Sequence, residues 1–142
     1  MYERLIELEE LKVEFAQVIK LAKDYRVYDE QHSVKEATHE EELVFENSPE
    51  GKELKRRRKE LREYLEGLDF EAVKAIQVVM YIAIEESHNE TDRPKKIYGE
   101  KRESYDSLGW EKNRFVIGRL TENIIALEKD LENGLEILDV QL

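Results

Sequence analysis

The segment from Phe70 to Ile84 is apolar on almost every helical face, and this restricts the folds open to the chain. Only three polar residues interrupt it, all on one side near its start: Glu71, Lys74 and Gln77. A helix that is hydrophobic all round must be surrounded by other elements. The short run Val78 to Ile84 alone also suits a strand. Asp69, an N-cap residue type at the start of the segment, favours a helix. We therefore predict a buried central helix at about residues 69–86.

Two helices are predicted before this central one. From about Glu3 to Tyr28, apolar residues recur every seven positions and leave most charges off their stripe, as in an amphipathic helix. The next helix begins at Ser48-Pro49-Glu50, where serine suits the N-cap, proline the first helical position and glutamate the helix dipole. It runs to Glu66 and ends at Gly67, a residue type common at helix C-termini.

The C-terminal part has helical periodicity at about 105–118 and 120–140. Whether Gly118 separates two helices or lies within one stays open. Gly134 lies on the same seven-residue seam as Leu120 and Leu127, although glycine in a helix interior costs about 1 kcal/mol relative to alanine. A close helix approach, inside this chain or across a dimer, explains it as well as simple tolerance near a helix end.

Two polar stretches separate these segments. The one at 29–48 is rich in glutamate, and we expect a loop or a weak helical turn held by Leu43-Val44-Phe45. The one at 87–104 contains Pro94 and Gly99, which predict a true loop. With only 6 glycines and 2 prolines, the chain favours long helices over a sheet rich in turns. The predicted fold is all-α, a bundle of four to five helices around the central helix, in a single domain of residues 1–142.

Composition and charge narrow the functional classes. The net charge of −11 disfavours nucleic acids and anionic membranes, because an acidic surface repels both. There is no cysteine, so disulfides, thiolate zinc sites and thiol catalysis are excluded. The N-terminal residues lack the basic-then-apolar pattern of a signal peptide. The run Val78 to Ile84 is far shorter than the roughly 20 residues of a membrane span. We expect a cytoplasmic protein with no membrane partner.

Three stretches carry a family resemblance: Ala22-Lys23-Asp24-Tyr25 followed by Asp29, Tyr64-Leu65-Glu66-Gly67-Leu68 running into Val73 to Ile82, and Leu131-Glu132-Asn133-Gly134-Leu135. In these stretches, which span most of the chain, it resembles an uncharacterised bacterial family, Domain of Unknown Function 3775. The stretches are packing and boundary features, not catalytic signatures. The resemblance implies a helical domain and implies no activity.

Two Glu-x-x-His pairs are the candidate metal ligands: Glu36 with His39, and Glu85 with His88. Residues three apart share a helix face, and di-iron carboxylate bundles use two such pairs with further glutamates. Glutamate is so abundant here that chance explains the spacing, and both pairs lie in or beside predicted loops. We therefore assign no catalytic residue and no cofactor, and keep a metal-dependent helical-bundle enzyme as an alternative.

A basic run in the second helix is the sharpest local charge feature: Lys52, Lys55, Arg56, Arg57, Arg58, Lys59 and Arg62. Such a run is ordinarily a solvated face paired with glutamates three or four positions away. The functional interpretation is an interaction patch comprising its last six residues, which faces phosphate groups or an acidic protein. Nucleic-acid binding is disfavoured, because the patch would have to outweigh the net charge of the chain.

The leading functional hypothesis is a small cytoplasmic bacterial protein-interaction module without catalytic activity. It docks to another protein or to itself, since the seven-residue repeats of the first and last helices can extend into a homodimer. The first alternative is the metal-dependent enzyme. The second is a nucleic-acid accessory protein that uses the basic helix.

Overall fold

The computed structural model describes residues 6–32, 37–86, 93–107 and 113–142. This part of the chain is all-α, with eight helices and no strand, which confirms the predicted fold class. None of these helices has the length and apolarity needed to cross a membrane. That residues 1–142 form a single domain stays a prediction. The helices are α1 (Ile6–Glu10), α2 (Lys12–His32), α3 (His39–Glu46), α4 (Pro49–Glu66), α5 (Phe70–Glu85), α6 (Pro94–Ser107), α7 (Asn113–Glu122) and α8 (Ile124–Ile137).

Helix α5 is the buried centre of the described fold, as predicted. Most of its side chains are buried, including Val73, Ile76 and Ile82. Helices α6, α7 and α8 pack against it, and α2 packs against both α8 and α4. The hydrophobic core draws side chains from every described helix except α3. An all-round apolar helix thus lies where its composition requires, within a shell of amphipathic helices.

Gly134 allows α8 to approach α5 closely. A Cβ atom at this position would lie 2.3 Å from the backbone oxygen of Val79 and 2.7 Å from its Cγ1 atom. Side chains larger than hydrogen therefore do not fit without moving one of the two helices. Of the two explanations for this glycine, a close helix approach is confirmed, and the approach lies inside this chain.

The prediction of a loop at 87–104 is wrong from Pro94 onward, where α6 begins. Proline at the first helical position removes no helical hydrogen bond, so it starts the helix and does not break it. Ile97, Tyr98 and Gly99 are buried, and Ile97 and Tyr98 join the core. This burial outweighs the low helix propensity of Gly99.

The prediction for 29–48 also needs correction, because both ends of this stretch are helical. Helix α2 continues to His32, and α3 occupies His39–Glu46. The hydroxyl of Thr38 accepts a hydrogen bond from the backbone N–H of Glu41 at 3.2 Å and donates to its carboxylate at 3.1 Å. This interaction resembles a capping box, for which Thr-x-x-Glu is the sequence signature.

Further breaks raise the number of helices above the four or five expected. The predicted first helix is interrupted at Leu11, whose N–H bonds to the carbonyl of Leu8, and so divides into α1 and α2. The predicted segment at 105–118 is shared between α6 and α7. Gly118 lies inside α7, and the break before α8 falls at Asn123.

Candidate interaction surface

Helix α3 is the most weakly buried helix of two turns or more in the described structure. It contributes no buried residue, and the only helix against which it packs extensively is α4. Leu43 is 46% exposed and Val44 is 72% exposed, while Phe45 is half-buried against the core. Two adjacent apolar side chains on one short helix therefore face solvent.

Gly51 of α4 makes the contact between α3 and α4 possible. A Cβ atom there would lie 2.0 Å from the carbonyl oxygen of Phe45 and 2.9 Å from the Cα atom of Glu46. Ser48 joins the two helices, since its hydroxyl caps α4 by accepting from the N–H of Gly51 at 3.1 Å and also donates to the carbonyl of Phe45. The position of α3 is thus set by backbone contacts at its C-terminal end.

Two depressions flank α3. The first, of about 280 Å³, lies between α2, α3 and α4, and is lined by Tyr25, Asp29, Glu42, Phe45, Glu46, Gly51, Leu54, Lys55 and Arg58. The second is an open groove of about 650 Å³ on the other side of the helix, lined by Gln31, His32, Glu40, Glu41, Val44, Phe45, Ser48 and Glu50. Phe45 separates them and contributes to both. We call the second depression the α3 groove.

The α3 groove is acidic around an apolar floor. Val44 and Phe45 form the floor, and the carboxylates of Glu40, Glu41 and Glu50 line it. Within the described part of the chain, Glu40 and Glu50 have no ion-pair partner, and Glu41 bonds only to Thr38. No lysine or arginine is among the described residues that line the groove. The groove therefore presents carboxylates without ion pairs, placed at the N-terminal turns of α3 and α4, beside exposed apolar surface.

The basic run of α4 is largely paired within the protein. Arg56 forms ion pairs with Glu53 at 2.6 Å and with Glu60 at 3.2 Å, and Lys59 lies 3.7 Å from Glu63. The hydrogen bond from Arg56, with a second from Arg57, lowers the pKa of Glu53 to about 2, although partial desolvation opposes the shift. These are the i,i+3 and i,i+4 pairs expected of a solvated helix face.

Arg57 and Arg58 hold α4 against α2. Arg57 donates to the backbone oxygen of Asp24 at 3.2 Å and stacks over the ring of Tyr28, with 4.6 Å between guanidinium and ring centre. Arg58 donates to the hydroxyl of Tyr25 at 3.1 Å and lies over its ring. Cation–π contacts of this kind stabilise helix packing by about 0.5–1 kcal/mol at exposed sites.

Arg58 is exposed but held by Tyr25, and three further exposed cations of the run make no ion pair among the described residues: Lys52, Lys55 and Arg62. Lys55 lines the smaller depression beside α3, whereas Arg62 lines a separate groove between α4 and α7. The predicted patch of Lys55, Arg56, Arg57, Arg58, Lys59 and Arg62 is thus divided between structural pairs and solvated charges. Its role as an interaction surface stays a prediction.

The candidate metal ligands cannot be placed as one set, because Glu36 and His88 lie outside the described residues. His39 begins α3, while Glu85 ends α5 and forms an ion pair with Lys101. Among the described residues, no group of three or more His, Asp or Glu side chains is arranged to hold a metal ion.

The sequence patterns did not predict a cluster of buried charges around Arg102. Arg102 of α6 is fully buried, and its guanidinium bonds to three carboxylates from three helices: Glu7 of α1, Glu71 of α5 and Asp106 of α6. The buried hydroxyl of Tyr98 also donates to Glu7, and burial with this bond raises the pKa of Tyr98. The i,i+4 spacings Tyr98–Arg102 and Arg102–Asp106 were the available sequence signal.

The chemistry of this cluster is structural. Each nitrogen of the buried Arg102 guanidinium donates to a carboxylate, so its charge is compensated within the protein. Lys74 of α5 adds a contact to Asp106 at 3.1 Å. A buried cation needs such compensation, because an unpaired buried charge is strongly destabilising. The cluster ties α1, α5 and α6 together.

Comparison of the chain with protein-family models, with curated proteins and with solved structures finds no significant match. The resemblance to Domain of Unknown Function 3775 therefore stays a prediction from the three stretches that carry it.

Proposed function

We propose that this chain is a small cytoplasmic protein-interaction module without catalytic activity, and that it docks through α3. The observation that carries the proposal is the exposure of Leu43 and Val44 on a capped helix that buries none of its residues. Single exposed apolar residues are normal on protein surfaces. Contiguous apolar surface marks interaction sites, and Leu43 and Val44 are neighbours on α3, with Val44 also lining the groove.

The construction of α3 supports this proposal. Thr38 caps the start of α3, and the hydroxyl of Ser48 donates to the carbonyl of Phe45 at its end, in a helix whose side chains add little to the core. A helix that contributes little to stability and is nevertheless held in one position is preformed for a partner. Binding to a preformed surface avoids much of the entropy loss that ordering a flexible segment requires.

Native mass spectrometry of protein purified without chelators, compared with its denatured mass, separates this proposal from a metal-dependent enzyme. We expect no bound mass beyond protein subunits. A bound metal or metabolite at stoichiometric occupancy would contradict the proposal and direct attention to the predicted pair Glu85 and His88.

Site-specific photo-cross-linking tests the docking face itself. A photoreactive amino acid in place of Val44 is expected to give a discrete protein adduct in cells. The matched position is Ile125 of α8, which is 49% exposed. An adduct that forms at position 44, is absent at position 125, and is lost in a Leu43→Glu background supports the proposal. Equal adducts from both positions, or none from either, would contradict it.

One observation favours a second candidate, a nucleic-acid accessory role. Lys52, Lys55 and Arg62 are exposed without ion pairs among the described residues. This candidate predicts retention on heparin that falls steeply with salt and is reduced by Lys52→Gln with Lys55→Gln. If the parent protein is not retained on heparin at low salt, the nucleic-acid role is contradicted.

A further inference from the structure

We infer that the occupant of the α3 groove is a cationic amphipathic helical segment of another protein, with an apolar side chain seated on Val44 and Phe45. The inference rests on the proposed docking function and adds the chemistry of the partner. It is drawn from the composition of the groove and from its charge.

The floor of the groove suits an apolar anchor. Val44 is 72% exposed, so a partner side chain placed on it removes apolar surface from water on both sides of the contact. Phe45 extends the floor towards the core. Amphipathic helices bind grooves in this way, with apolar residues one turn apart as anchors.

The walls of the groove select the charge of the occupant. Glu40 and Glu41 lie one helical turn before Val44, and Glu50 lies across the groove on α4. A partner with lysine or arginine beside its apolar anchor would place cations near all three carboxylates. The net charge of −11 further attracts a cationic partner at long range.

A second copy of this chain is a poorer occupant of the groove. Each copy carries the same net charge of −11, so approach of two acidic α3 faces is repulsive. Its exposed cations on α4, Lys52, Lys55 and Arg62, have no exposed apolar residue of α4 beside them. Lys129 of α8 lies one helical turn from the exposed Ile125, so the repulsion between two acidic copies is what disfavours a second copy.

The test uses two synthetic amphipathic helical peptides, one of leucine and lysine and the other of leucine and glutamate, titrated into the full chain by isothermal calorimetry. We expect the lysine peptide alone to bind. Val44→Ser should lower the affinity for the lysine peptide about tenfold, because one apolar contact is lost. Val13→Ser, at an apolar position of α2 that is 76% exposed, should leave affinity unchanged.

Matched charge variants separate a specific groove from general attraction to an acidic protein. Glu40→Gln with Glu41→Gln should weaken the lysine peptide about fivefold, as expected for two surface pairs, and a glutamine at position 41 retains the capping interaction of the helix. Glu132→Gln with Glu136→Gln changes the net charge equally on the exposed face of α8. Equal weakening by both pairs of substitutions would overturn the inference, as would absence of binding. Circular dichroism confirms that each variant is folded.

The failure of this inference is distinguishable from failure of the docking function. If the lysine peptide does not bind but native mass spectrometry shows a dimer that Val44→Ser dissociates, α3 is a docking face and its occupant is a second copy. That result overturns the cationic partner and retains the proposed function.

Discussion

Helices α5 and α3 share one packing feature, which contributes to the core at α5 and to an exposed surface at α3. Each is approached closely by a neighbouring helix at a glycine: Gly134 of α8 lies against α5, and Gly51 of α4 lies against the end of α3. At α5 the approach closes a core in which side chains such as Val79 and Ile82 are fully buried. At α3 the approach holds a helix that leaves Leu43 and Val44 in solvent.

This difference indicates that stability and binding are assigned to different helices. A close contact around α5 adds to the hydrophobic driving force of the whole fold. A close contact under α3 positions a surface while adding little apolar burial. Substitutions at the two helices should therefore differ in the free energy of unfolding that they remove.

The largest loss of stability is expected at Arg102, whose ion pairs join α5 to α1 and α6. Arg102→Ala removes a buried cation that joins α1, α5 and α6, and leaves a cavity beside three carboxylates. We expect a loss of about 3 kcal/mol in the free energy of unfolding, measured by urea denaturation. A loss below about 1 kcal/mol would show that water re-enters and compensates the cluster.

Gly134→Ala should be the next most damaging change. Its Cβ atom would clash with the backbone of Val79, and overpacking of this kind costs about 2 kcal/mol. Gly118→Ala is the matched control within a neighbouring helix, since an added Cβ there meets nothing within 4 Å. This control should raise stability by up to about 1 kcal/mol. Equal destabilisation of both variants in thermal unfolding would refute the close approach.

Gly51→Ala introduces a comparable clash at the periphery. We expect α3 to move away from α4 with a smaller global loss, about 1 kcal/mol, because α3 buries little. Binding of the leucine and lysine peptide should be lost in the same variant. A global loss as large as that of Gly134→Ala would contradict the proposed division between the two helices.

The smallest expected effect is on the loss of stability at acid pH. The folded-state pKa of Glu53 is about 2, below its ordinary value of 4.5. Hydrogen bonds from Arg102 and Lys74 likewise hold the pKa of Glu71 low against the opposing effect of desolvation. Both groups bind protons less readily when folded, so each stabilises the fold above the ordinary pKa and loses this contribution as pH falls, which for Glu53 extends towards pH 2. Urea midpoints measured across this range should fall less in Glu53→Gln than in the parent.

Part of this architecture was predictable from local signals. The bounds of α4 followed from Ser48 and Pro49, because capping is a short-range interaction written in the sequence. Asp69 stands at the N-cap position of α5 as predicted, but its side chain makes no capping hydrogen bond. Helix α6 was missed because Pro94 and Gly99 are typical of loops, and only the burial of Tyr98 shows why a helix forms there. For α3 the sequence allowed a weak helical turn at Leu43-Val44-Phe45 as one of two alternatives, and the cap at Thr38 extends it to eight residues.

The candidate surface was less predictable than the fold. Counting charges located the basic run of α4, but the pairing of Arg56 with Glu53 and the packing of Arg58 on Tyr25 depend on rotamers and tertiary contacts. The exposure of Val44 is likewise a property of how α3 sits on α4. Sequence patterns identify apolar residues, and they do not reveal which ones the packing leaves outside the core.

Amide hydrogen exchange measured residue by residue tests most directly whether α3 is a docking helix distinct from the stable centre at α5. It is measured on the free protein and with the leucine and lysine peptide. In the free protein, α3 should exchange through local opening while α5 exchanges only with global unfolding. The peptide should then slow exchange in α3 and at the start of α4 alone. Protection of α3 equal to that of α5 without peptide, or peptide protection located elsewhere, would contradict the account.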